Sequence, residues 1–78
     1  MKNKLSINYD EEGDLLEILI GKPTSSYYEE ISDGIFERIE DETGEIKGIS
    51  IFSFRKRIKN EKNINISLPL NIEITSSA

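Results

Sequence analysis

The chain has no cysteine and no histidine among its 78 residues. The first absence excludes disulfides, thiolate metal sites and a cysteine nucleophile. The second removes the commonest general base and the commonest transition-metal ligand. Valine is absent too, and the single alanine is the last residue, Ala78. The best helix former is therefore missing from the body of the chain. The longest apolar run is Ile18-Leu19-Ile20, far short of a membrane span. Met1-Lys2-Asn3-Lys4-Leu5-Ser6 carries two lysines with no apolar run after them, so no signal peptide is expected. A cytoplasmic protein is the expectation.

What is present points to strands. Fourteen residues are isoleucine, a β-branched side chain that packs well on a pleated surface. A chain of this length is one small domain that buries roughly 60% of its unfolded surface, leaving a thin core. Such domains compensate with disulfides, metals or association. With disulfides excluded, self-association or a partner is the compensation that remains.

Leu5, Ile7 and Tyr9 alternate with Ser6, Asn8 and Asp10, a period of two. Asp10 to Asp14 interrupts with charge and with Gly13, which takes positive φ at low cost. Leu15 to Ile20 resumes, with Leu16, Ile18 and Ile20 on one face, so the two runs read as a hairpin. Gly21 to Ser26 is a loop around Pro23. Tyr27 to Ile31 is a third strand, with one tyrosine expected in the core and the other at the rim. Asp33-Gly34 is compatible with a tight hairpin turn, and slightly better with a bulge bending one long strand. Ile35 to Glu40 continues as strand, with Phe36 opposite Ile35 and Ile39. Thr43-Gly44 closes the next hairpin, and Ile46 to Phe54 is the last central strand. Arg55 to Lys62 is basic and has room for a turn or two of helix.

Alternation returns from Asn63 to Ile74, with Pro69 confining this stretch to an edge or splitting it. The expected fold is mostly β: one antiparallel meander of four to six strands with at most one short helix near residues 54–60. Residues 1–78 form one domain, with the meander over 5–58, a C-terminal strand or arm over 59–74, and a frayed polar tail over 75–78.

Three motifs stand in order: Tyr9-Asp10 with Asp14-Leu15-Leu16 and Ile18, then Glu30-Ile31 with Asp33-Gly34-Ile35, then Asp41 with Gly44, Ile46, Gly48-Ile49 and Ile51. Over about residues 5–58 this pattern resembles a prokaryotic family known as domain of unknown function 2283. The resemblance implies a small β-rich protein. It defines no catalytic residues, so none are carried over. Some members resemble the antitoxin half of two-gene toxin–antitoxin modules, which implies a protein-binding role. The charged insertion after Phe54 and the isoleucine-rich tail depart from the family pattern.

The acidic loops invite a metal reading and fail it. Counted from Asp10, a calcium loop needs glycine at the sixth position and a bidentate glutamate at the twelfth, where this chain has Leu15 and Gly21. Neighbouring carboxylates such as Glu29-Glu30 point to opposite faces of a strand and do not converge for acid–base work. Gly44 to Gly48 lacks the loop-to-helix context of a phosphate cradle. No enzyme activity, no metal and no cofactor is expected.

Charge distribution is the functional signal. Residues 1–54 carry five basic and thirteen acidic side chains, and residues 55–78 carry five basic and two acidic. An acidic body repels phosphate and attracts basic surfaces, so nucleic acid is an unlikely partner. Two readings remain open. One is an interaction module, an antitoxin-like inhibitor of a basic toxin-like protein. It would bind through Glu29, Glu30, Glu37 and Glu40, and through strand addition at a sheet edge or at Ile64 and Ile66. The other is a self-assembling homo-oligomeric β domain. The isoleucines of the tail fit their own sheet better than a partner's.

Overall fold

The computed structural model describes residues 4–61, 63–67 and 71–75. Its elements are β1 (Leu5–Asp10), β2 (Leu15–Ile20), β3 (Ser26–Ser32), β4 (Ile35–Glu40), β5 (Ile46–Phe52), α1 (Phe54–Glu61), β6 (Asn63–Ser67) and β7 (Asn71–Thr75). The first five strands form one antiparallel sheet in the order β1-β2-β5-β4-β3, and β6 and β7 form a separate hairpin. The mostly β reading with a single short helix holds. The meander proper is β3-β4-β5, and the β1-β2 hairpin closes the sheet by pairing β2 with β5.

Register explains the core. Leu16 lies opposite Ile51 and Ile18 opposite Ile49, so four apolar side chains meet on one face at the sheet's centre. Ile18, Ile49 and Ile51 are fully buried, and Ile64 of β6 joins them from the second layer. Phe54 and Ile58 of α1, Ile74 of β7, and Tyr9 and Ile35 pack around this cluster. Helix and hairpin thus cover one face of the sheet. Each fully buried isoleucine contributes about 1.5–3 kcal/mol of transfer free energy.

Two glycines are required by geometry. Gly34 has φ +78, and a β-carbon there would stand 2.8 Å from an Arg57 guanidinium nitrogen. Gly48 would place a β-carbon 2.6 Å from the Ile18 carbonyl oxygen on the neighbouring strand. Central β5 accepts no side chain at that point.

Several expectations are corrected. Ser32 pairs with Ile35, so Asp33-Gly34 is a two-residue hairpin turn; the register irregularity lies between Glu30 and Ser32. Positive φ in the first loop falls on Asp14 (φ 50). β5 ends at Phe52; Phe54 opens the helix and turns back onto the core. Tyr27 and Tyr28 are both about half exposed, because β3 is an edge strand with no second layer over it. Pro69, with Leu68 and Leu70, and the tail beyond Thr75 lie outside the described residues.

Candidate functional site

The helix is fixed first, since its position decides which sheet surface stays open. Asp14 supplies its N-cap from a distant loop. Its Oδ1 accepts the Arg55 backbone N–H at 2.7 Å and the Tyr9 hydroxyl at 2.7 Å. The Asp14 carbonyl accepts the Phe54 N–H at 3.0 Å. Bonding to the Tyr9 hydroxyl and then to the Arg55 amide holds the Asp14 carboxyl below its ordinary pKa. The same bond to Asp14 raises the Tyr9 phenol. Arg55 lies 5.7 Å from the Tyr9 ring centroid and pairs with Glu11 at 3.4 Å, a surface ion pair that adds little.

A second contact ties the helix to the β3-β4 turn: Arg57 donates to the Asp33 carbonyl at 2.6 Å, and just before the helix the Phe52 N–H donates to the Gly34 carbonyl at 2.8 Å. Two of the three sequence motifs are therefore helix-docking devices. In the first loop, Asp10 accepts the Glu12 and Gly13 amides at 3.1 and 3.4 Å, an Asx turn rather than an ion cradle.

The four glutamates read from the sequence all lie on β3 and β4, the outer half of the sheet, but on two faces. Glu29 and Glu37 are direct cross-strand partners, and Glu37 in turn lies opposite Ile49, on the face that carries the helix. Neither forms an ion pair with a described residue. Glu30 and Glu40 project to the opposite face. Glu30 accepts the Gly34 N–H at 3.3 Å and stiffens the turn. Glu40 accepts the Thr43 hydroxyl at 2.5 Å, which lowers its pKa. Ile64 is 6% exposed and belongs to the chain's own core, so it offers no partner surface. Ile66 pairs with Ile72 in the β6-β7 ladder, and its side chain is outside those described.

A feature missed in the sequence lies on the uncovered face. Leu15, Glu17, Tyr28, Phe36, Ser50 and Phe52 line a groove of about 310 Å³. Leu15 lies opposite Phe52, Glu17 opposite Ser50, and Ser50 opposite Phe36. The Phe36 and Phe52 rings meet edge to face with centroids 5.6 Å apart. The available signal was that Phe36 and Phe52 alternate out of phase with the core isoleucines. Joining them required the β2-β5 pairing, which no local pattern announces.

A second hollow of about 390 Å³ is lined by Thr24, Ser25, Glu40, Asp41 and Glu42. The Ser25 hydroxyl donates to Asp41 at 2.7 Å. Among the described residues, no three acidic side chains converge in a way that would hold a metal ion. No described helix is long and apolar enough to cross a membrane.

No curated protein and no solved structure matches the chain. A family profile does, over residues 6–55, the stretch that builds nearly all of the five-stranded sheet and holds the Asp14 cap and the Asp33 acceptor, though not Arg57. The chain belongs to the family described as protein of unknown function (DUF2283).

Proposed function

We propose that this chain is a non-catalytic protein-interaction module. It engages a basic protein through the acidic β3-β4 half of its sheet, as a cytoplasmic antitoxin would cover the phosphate-binding surface of its toxin. The observation that carries the reading is the pairing of Glu29 directly against Glu37 with no described cation between them. Like charges directly opposite on a ladder are destabilising in the free protein. A basic partner turns that cost into complementarity and steers encounter. β3 is also an edge strand, whose outer N–H and C=O groups suit strand addition.

The ionisation pattern reflects structural hydrogen bonds. Among the described carboxyls, Asp14 shifts downward through the bonds that cap the helix and Glu40 through the bond from Thr43 in its turn. A general acid needs the opposite displacement.

A second reading, self-assembly, has its own observation. Leu5, Ile7, Tyr27 and Ile31 on the two edge strands are 42–62% exposed. Sedimentation of the purified chain at low and high salt separates the readings. A monomer that binds a basic protein at low salt supports the module; an oligomer unchanged by salt supports self-assembly.

A further inference from the structure

We propose that the groove on the uncovered face receives an arginine or lysine side chain from an extended, partly apolar segment of the basic partner. The proposal rests on the interaction-module reading and assigns it a specific contact. The groove is apolar over most of its lining, with Leu15, Phe36, Phe52 and Tyr28 supplying the walls. Tyr28 and Phe52 are 53% and 44% exposed, a large apolar area to leave in water on so small a domain.

The charge in its lining is acidic. Glu17 is the charged residue in the lining, and Glu30 is the cross-strand partner of Phe36 on the same face. Arg38, beside Tyr28 on this face, is held away toward the start of β3: it donates to the Ser26 hydroxyl at 2.5 Å and to the Thr24 carbonyl at 3.0 Å.

A long cationic side chain meets each condition. Its methylenes cover the rings, and its charge reaches Glu17 or the π-face of Tyr28. The volume is at the small end of ligand pockets, which run about 300–1,000 Å³, and suits one side chain rather than a helix. The segment therefore lies across the open face rather than along the outer edge of β3, because a strand added there would be four strand spacings, about 19 Å, from Glu17 on β2.

The test uses a blocked hexapeptide of alternating arginine and leucine, a matched glutamate–leucine control, amide NMR mapping and calorimetry at two salt concentrations. The arginine peptide is expected to bind, with shifts centred on Leu15, Glu17, Phe36, Ser50 and Phe52. Glu17→Gln and Tyr28→Ser are each expected to weaken binding by roughly fivefold while keeping a dispersed spectrum. Equal binding of the glutamate peptide, or shifts confined to the Glu29–Glu37 ladder, would overturn the groove assignment and leave the module reading standing in the second case. Concentration-dependent shifts of the groove residues without peptide would assign the face to a second copy and overturn it. No binding of either peptide overturns it as well. The module reading falls separately, if no basic protein is bound by the whole chain.

Discussion

Asp14 lies 41 residues from the amide it caps. Its side chain is what sets α1 in place, and its ionisation couples that contact to pH. The folded-state pKa is lowered, so the stabilisation is complete above the ordinary carboxylate range and is lost as pH falls through the lowered value. Tyr9 is raised, so its contribution is complete below the ordinary phenol value and is lost as pH climbs through the raised one. Thermal unfolding across pH should therefore show both limbs. Asp14→Asn keeps an acceptor for the amide, so it should flatten the acid limb with a small loss at neutral pH. Asp14→Ala should lower Tm across the range. Tyr9→Phe should flatten the alkaline limb.

Gly34 makes a second residue-scale prediction. Gly34→Ala forces a β-carbon into left-handed backbone, at about 1–2 kcal/mol. It also displaces the end of the Arg57 side chain. Arg57→Ala should relieve part of that loss, giving a non-additive double-mutant cycle by denaturant unfolding. Gly48→Ala meets a backbone carbonyl, which cannot swing aside. It should cost about 1–3 kcal/mol with no comparable rescue.

At the scale of elements, the β6-β7 hairpin is a second layer of the core. Ile64→Ala should destabilise the isolated protein by about 2–5 kcal/mol in urea unfolding. A segment that only met a partner would show no change in the free chain. Most elements were legible locally: alternation marked β1, β2 and β4, and the acidic glycine turns marked the breaks between strands. The short helix after β5 was legible from the change to basic composition. What was not legible depended on distant pairing. Ser53 takes φ 54, which breaks the chain between β5 and α1 and sends Phe54 back toward Tyr9. That turn, the Asp14 cap and the Arg57 anchor are decided by side chains tens of residues apart. Asp33-Gly34 was ambiguous because a turn and a bulge both want glycine at positive φ; the pairing of Ser32 with Ile35 decides it.

At the scale of the whole molecule, the sheet has a covered face and an open one, and the four glutamates are divided between them. Counting acidic residues grouped the four glutamates but did not give this division, which follows from the β3-β4 register. The ladder pair Glu29–Glu37 and the groove beside Glu17 and Glu30 are separate surfaces flanking one edge strand. Charge neutralisation should reveal the strain: Glu37→Gln should raise the stability of the free protein, by about 0.2–1 kcal/mol. The same change should weaken partner binding.

The most direct test of the central claim is recovery of proteins from native lysate on the tagged chain, at low and high salt, alongside a Glu29→Gln/Glu37→Gln variant. The account predicts one small basic protein near one-to-one stoichiometry at low salt, reduced at high salt and reduced again by the variant. A chain recovered alone, as an oligomer whose mass is indifferent to salt and to the substitutions, would contradict it.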